Sequence, residues 1–228
     1  MRYIYCHPLF DERKCAHRFS YQLFKAFERN NLQLERFDYD GTGEADGAFC
    51  NVTVDSLKID LQKLAAGNRI CLIGTRLGAT IAFEFCCQKE SCVNTLIMIE
   101  PVVNGCAYVD YLFRKQHLKD MMTGNESIFS HEDGFLNLEG YKTNNIFIEQ
   151  IRQLDLFKTK NQIKADNAFV VQISASEKIC PEYNLLAEHL RKNTIYTCVE
   201  TFNLPVFWER IPDGNYTAAC EKILEWCP

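Results

Sequence analysis

The sequence predicts an α/β protein: a mostly parallel sheet of about six strands, helices on both faces and an inserted helical cap. Three observations carry that expectation. Short apolar runs alternate with amphipathic stretches of helical period along most of the chain. The stretch Cys71-Leu72-Ile73-Gly74-Thr75-Arg76-Leu77-Gly78-Ala79-Thr80 runs a buried-strand pattern through two glycines straight into a helical pattern. Between about Val102 and Ala165 the alternation lapses, and then it resumes.

Taken in order, Tyr3 to Cys6 reads as a short buried strand, left by His7-Pro8-Leu9-Phe10 and a loop to about Lys14. Ala16 to Glu28 is helical, with Phe19, Leu23, Phe24 and Phe27 on one face, until Asn30-Asn31 breaks it. Leu32 to Phe37 is the next strand, and Asp38 to Gly47 is a turn-rich loop. Thr53 to Ala66 is amphipathic: Val54, Leu57, Leu61 and Leu64 share a face, Thr53 caps the start and Gly67 ends it. Arg69 to Ile73 leads into the Gly74–Gly78 turn, and Leu77 to Lys89 is the helix out of it. Thr95 to Ile99 is a strand closed by Glu100-Pro101.

Residues 102–165 read as a cap or lid over the carboxyl edge of the sheet, set into a core of residues 1–101 and 166–228. The cap has helical patches at Tyr108 to Met122 and Asn145 to Leu156. Between them lie a polar stretch, Thr123 to Gly134, and Phe135 to Leu138, which has strand character. The main pattern returns with a strand at Ala168 to Ile173, a helix at Tyr183 to Arg191, a strand at Ile195 to Val199 and a helix at Tyr216 to Trp226.

Composition bounds the partners. With 228 residues, 47% of them apolar, the chain is long enough for one sizeable core. The formal net charge is -5 with no run of Lys or Arg, which argues against nucleic acid or an anionic membrane surface. No apolar run is long enough to span a bilayer. Twelve cysteines are scattered without a Cys-x-x-Cys pair. The closest group, Cys86-Cys87 with Cys92, has no histidine nearby to complete a metal set. The thiols read as free and core-filling and the N-terminus as lacking a signal peptide, so the chain reads as cytoplasmic. No residue pattern implies a cofactor or a metal.

In a wound parallel sheet, ligands sit outside the carboxyl ends of the strands. Several loops at those ends resemble the α/β-hydrolase superfamily. His7-Pro8-Leu9 stands where that family carries an oxyanion-hole loop. Asp38-x-x-Gly41-x-Gly43 resembles its Asp-x-x-Gly-x-Gly turn. Gly74-Thr75-Arg76-Leu77-Gly78 resembles its nucleophile elbow, and Glu177-Lys178-Ile179-Cys180-Pro181 its acid-bearing loop. Gly74-x-Arg76-x-Gly78, Glu100-Pro101-Val102-Val103-Asn104-Gly105, Gly140-Tyr141 and Phe207-Trp208 narrow the likeness. They are similar to the hydrolase-like proteins associated with bacterial exosortase and exopolysaccharide systems. That resemblance implies a protein acting on an acylated or anionic small molecule in surface export.

The triad departs from the family. Arg76 holds the nucleophile position, and a guanidinium stays protonated and cannot attack a carbonyl. The segment after Val199, where the family places its base, contains no histidine. Only the acid position remains, as Glu177. Two roles are open to Arg76: anion capture with the backbone N–H of Leu77 at a helix N-terminus, or an internal ion pair with Glu177 or Glu100. In the first role Leu9 and Thr75 join Leu77 around the ligand, and Glu177 orients Arg76 or acts on the substrate; Trp208 either stacks on a ligand such as a sugar ring or anchors the core.

His7 is a candidate base or a buried core histidine. Cys6, Cys106 and Cys180 are possible thiol nucleophiles, although no Cys–His spacing singles one out. Ser174 and Ser176 read as turn residues. His17, His117, His131 and His189 show no metal spacing. Phe10, Tyr108, Tyr111 and Phe113 line a pocket or seat the cap. Two functions follow: a hydrolase-like protein with a degenerate triad, or a non-catalytic ligand-binding or scaffold protein on the same fold.

Overall fold

Side chains of a strand point alternately to its two faces, so a run of apolar residues at consecutive positions needs a core on each side. The strands of this chain meet that need. In a computed structural model the described residues are 1–65, 69–88, 93–124, 134–159, 162–193, 195–211 and 214–228. The chain runs β1 (Arg2–Cys6), α1 (Phe10–Cys15), α2 (His17–Arg29) and β2 (Leu34–Arg36), then a 3-10 turn at Phe49–Asn51 and α3 (Val54–Ala65). Next come β3 (Ile70–Thr75), α4 (Leu77–Cys86), β4 (Val93–Ile99), α5 (Gly105–Thr123), β5 (Phe135–Leu138), β6 (Tyr141–Asn144) and α6 (Asn145–Gln153). It closes with β7 (Asn167–Ile173), α7 (Pro181–Lys192), β8 (Tyr196–Phe202) and α8 (Thr217–Glu225).

Six strands form one parallel sheet in the order β2-β1-β3-β4-β7-β8. Ile4, Leu72, Leu96, Met98, Ala168 and Val170 face one core, shared with α3, α4, α7 and the 105–153 segment. Tyr5, Ile73, Ile97, Phe169 and Val171 face the other, closed by α2 and α8. The fold class is therefore as expected, with helices on both faces.

The register decides where the site lies. Cys6 pairs with Gly74, and Gly74 with Met98, so β1, β3 and β4 end nearly level. The ladder continues past them: Arg76 N–H donates to the Ile99 carbonyl at 2.9 Å, and Glu100 N–H to the Val171 carbonyl at 2.9 Å. His7, Arg76 and Glu100 thus leave the carboxyl edge side by side.

Three elements depart from expectation. The loop to Lys14 is a short helix, α1, with Asp11 and Glu12 in its first turn and Arg13 and Lys14 in its last. Six residues are too few to show a helical period, and the charges only complement the helix dipole. The strand at 135–138 gains a partner, β6, through an antiparallel hairpin turning at Glu139 and Gly140. The strand expected over 32–37 is only three residues long, at the sheet edge. Gly67, Cys92, His131 and the ends of the expected helices at Ala66 and Lys89 lie outside the described residues, as does most of the 123–134 stretch.

Between β4 and β7, α5 and α6 pack on each other, and asparagines cap both. Asn104 accepts from the Ala107 N–H at 2.9 Å, and Asn144 accepts from the Phe147 N–H at 2.7 Å. Asn144 also donates to the carbonyls of Cys50 and Val52, tying this segment to the loop before α3. Among the described residues no helix is long and apolar enough to cross a membrane.

Glycine is required where β1 meets α4. A Cβ at Gly78 would lie 2.3 Å from the His7 carbonyl oxygen and 2.4 Å from that of Cys6. Both are backbone atoms and cannot swing aside. Gly78→Ala is expected to cost about 2–4 kcal/mol in urea unfolding, from overpacking against backbone. A loss below about 0.5 kcal/mol would mean that α4 does not press on the β1 loop as described.

Candidate functional site

The site begins with a strained residue. Arg76 joins β3 to α4 with φ 54 and ψ -127, a conformation that L-residues avoid unless their surroundings enforce it. The backbone bonds on either side do so: Arg76 N–H is held by Ile99, and the Arg76 carbonyl accepts from Ala79 N–H at 3.0 Å. Residue 76 therefore stands at the top of the sharp turn at the carboxyl edge, as the glycine spacing implies.

Its side chain points into the protein and is 14% exposed. Nε lies 3.1 Å from Glu12 Oε1, and Nη1 donates to the Glu100 carbonyl at 3.3 Å. The guanidinium lies 5.1 Å from the Trp208 ring centroid and 5.7 Å from that of Tyr108. Glu12 is fully buried, and its second oxygen accepts from the Tyr108 hydroxyl at 3.1 Å. Burial pulls the Arg76 pKa down, but the Glu12 carboxylate beside it outweighs that and leaves it raised. The guanidinium is charged at any working pH. Burial likewise raises the Glu12 carboxyl, opposed by Arg76 and the Tyr108 hydrogen bond.

The arginine thus has an ion-pair partner, but neither of the two carboxylates expected. Glu177 is exposed in the loop after β7. The Glu100 carboxylate is used elsewhere: it accepts from the Ile173 N–H at 2.5 Å and from the Tyr183 hydroxyl at 2.9 Å. Glu12 falls in the segment read as a loop. One signal pointed toward such a group, because an arginine at a buried turn requires a carboxylate. Nothing in the order of residues selects one of thirty acidic side chains.

The other candidates disperse. His7 is buried, packs edge-on against Tyr5 at 4.8 Å, and is surrounded by Arg13, Asp38, Arg36 and His17. Burial lowers its pKa to about 3, with Arg13 adding to the effect. Thr75 is buried with its hydroxyl 2.8 Å from that of Tyr5. Leu9 and Leu77 are buried at the starts of α1 and α4. Trp208 stacks on the arginine and meets Phe207 edge-on.

Cys6 is buried and its thiol is pushed up to about 12 by desolvation, a poor nucleophile. Cys106 is exposed on α5, while Cys180 is half-buried just before α7. Ser174 and Ser176 bond within their own turn. Phe10 packs against Phe49, Tyr141 and Phe147, seating the 105–153 segment on the core. Tyr111 reaches Glu209 at 3.4 Å, and Phe113 lies under Arg152. His17, His117 and His189 sit on separate helices.

The sheet order, the strained turn after β3 and the helix leaving it define the α/β-hydrolase fold. Solved structures of that fold overlay almost the whole chain. Est1E from Butyrivibrio proteoclasticus, with ferulic acid bound, has a TM-score of 0.65 at 14% identity, covering 98% of this chain and 88% of that one. A soluble variant of monoglyceride lipase from Saccharomyces cerevisiae, with a substrate analogue, gives 0.64 at 13% identity over 99% and 86%. The enol-lactonase from Burkholderia xenovorans gives 0.58 at 14% identity over 99% and 90%. No protein-family model matches the chain, and no curated protein matches its sequence. At these identities the likeness establishes the fold.

Two outcomes check the site. Arg76→Met strands the buried Glu12 carboxylate and is expected to cost about 3–5 kcal/mol in urea unfolding. With Glu12→Gln added, the double variant should lose at least about 1 kcal/mol less than the two single losses combined. Strict additivity would mean that the two side chains do not interact.

His7 makes the protein acid-sensitive. Its folded pKa is depressed, so between pH 6.5 and about 3 the unfolded chain binds a proton there that the native chain does not. The stability from His7 is present above about pH 6.5 and falls by up to about 1.4 kcal/mol per pH unit below it. Thermal melts of His7→Gln across pH 4–7 should be flatter than those of the wild type; parallel curves would place His7 in water.

Proposed function

We propose that this chain is a ligand-binding protein on the α/β-hydrolase fold, a pseudo-hydrolase whose nucleophile seat is closed by an internal ion pair. The observation that carries the reading is the 3.1 Å contact between Arg76 and the fully buried Glu12. A guanidinium has no lone pair to attack with, and no histidine follows β8 in the sequence to serve as base. Serine-hydrolase chemistry thus lacks both a nucleophile and a base. With Glu12 neutralising it, Arg76 acts as an anchor between segments, and anion capture by Arg76 is the weaker of its two roles.

The ligand of this reading is a small acylated or anionic molecule. Residues 102–165 act as the cap. An apolar recess of about 600 Å³ within it is lined by Phe113, Leu136 and Ile148, with Arg114 and His117 beside them. That lining suits an acyl chain bearing an anionic end. The free thiols favour a reducing, cytoplasmic compartment.

The second reading is a hydrolase of such a molecule, linked to exopolysaccharide or surface export. It is favoured by the elbow itself, whose φ of 54 is kept although an arginine occupies it.

A panel of p-nitrophenyl esters and acyl thioesters, run on the wild type, Arg76→Ala and Arg76→Ser, separates the two. The expected result is no turnover above background in any of the three, including Arg76→Ser, which gains a hydroxyl but no base. Wild-type turnover that disappears in Arg76→Ala overturns the binding reading in favour of the hydrolase.

A further inference from the structure

Opposite the carboxyl edge, near the amino ends of the strands, the residues that follow α8 fold back over the core closed by α2 and α8. Trp226 lies flat on Phe169 of β7, with ring centroids 4.9 Å apart and an interplanar angle of 8°. Tyr196, at the start of β8, stacks with the same indole at 5.6 Å. The Tyr3 hydroxyl, from β1, donates to the Pro228 carbonyl. Residues 226–228 are thus anchored twice, on β7 and β8 through Trp226 and on β1 through Pro228.

Between those anchors stands Cys227, half-buried and packed against the core to which Tyr3, Cys71 and Phe169 belong. Cys71 is fully buried and is the β3 residue paired with Tyr3 in the ladder. Holding Pro228 at Tyr3 therefore brings Cys227 to Cys71, and the two thiols hydrogen-bond each other. That bond, and burial after it, raise the Cys71 thiol well above the ordinary range. Burial raises the Tyr3 hydroxyl too, and Cys227 and then Cys71 add to it, so both sulfurs lie beside one hydroxyl. Both thiols are free. Neither takes part in the Arg76 turn.

We propose that Cys71 and Cys227 form a reversible redox latch: a disulfide between them pins the 226–228 turn to β3 when the surroundings turn oxidising. The oxidant is a small-molecule disulfide. Access sets the order of events. The Cys227 thiolate, which solvent reaches, attacks one sulfur of the reagent, forms a mixed disulfide and expels one reagent thiolate. Cys71 then releases its proton to water, its sulfur attacks Cys227 Sγ, and the second reagent thiolate leaves. The two protein thiols lose two electrons and two protons in all, and the reagent becomes two thiols. The bridge closes a loop of roughly 150 residues, and a cross-link across so long a loop removes much freedom from the unfolded chain. In a reducing compartment such a pair acts as a sensor, not a permanent staple.

The test incubates the native full chain with hydroxyethyl disulfide at about pH 8, where thiolate forms. Remaining thiols are then alkylated, and an unreduced digest is read by mass spectrometry. The expected result is a linked Cys71–Cys227 peptide pair. The melting temperature should rise by at least about 5 °C and return to its starting value with dithiothreitol. Cys227→Ser should abolish both the bridge and the rise, while melting within about 2 °C of the reduced wild type. Cys71→Ala should hold Cys227 at the mixed disulfide. Cys227 is only half-buried, so its variant keeps the test open if Cys71→Ala fails to fold. The proposal is overturned if both cysteines are alkylated in the treated wild type, or if Cys227 stops at the mixed disulfide or bridges to another cysteine. A Cys71–Cys227 bridge that leaves the melting temperature unchanged overturns it as well.

Discussion

The ion pair between Arg76 and Glu12 organises the carboxyl edge. A guanidinium withdrawn from water requires a counter-charge, and supplying one draws distant segments together. Glu12 comes from α1, Tyr108 from α5, Trp208 from the loop after β8, and the Glu100 carbonyl from the end of β4. Each contributes one contact to a group that none could hold alone. A buried pair of this kind adds little net stability over an apolar filling of equal shape. Its effect is on geometry, because any arrangement that separates the two charges leaves one of them buried and unpaired.

The same edge concentrates backbone strain. Phe10, Arg76 and Glu100 all have positive φ, at 57, 54 and 49, and all three follow the ends of neighbouring strands. Such residues cost roughly 1–3 kcal/mol each unless their surroundings enforce them. Here the enforcement is visible. Arg76 and Glu100 donate their N–H groups to the adjacent strands, the Glu100 carboxylate is held by Ile173 and Tyr183, and the Phe10 ring is clasped by Phe49, Tyr141 and Phe147. The turn after β3 is held by backbone, carboxylate and aromatic contacts from its neighbours.

Charge is distributed in two ways across this edge. At Arg76 a cation is matched by one carboxylate and two aromatic faces, and the site is filled. At Arg36, the last residue of β2, Nε is buried with no hydrogen-bond partner among the described residues, and the guanidinium lies over the Phe24 ring. Both arginines belong to the edge of the same sheet, Arg36 as the last residue of β2 and Arg76 just after β3, and their partners distinguish them.

The sheet was legible because period-two alternation, glycine spacing and strand-to-helix alternation are local properties. The glycines at 74 and 78 identified the turn before any coordinate did, since only residues without a Cβ tolerate backbone at 2.3–2.4 Å. α1 was not legible, because six residues carry no periodicity, and neither was β6, whose pairing depends on β5. The same division applies to the site. The residue at the turn after β3, and the inability of a guanidinium to attack a carbonyl, are written in the chain. The partner of that residue is not, because thirty acidic side chains are equivalent in sequence and are separated only by burial. Glu177, in the expected loop, stayed in solvent, while Glu12, in a stretch read as featureless, was carried into the core by α1. Local pattern determined the scaffold, and tertiary packing decided which charges meet, because desolvation depends on neighbours brought from everywhere in the chain.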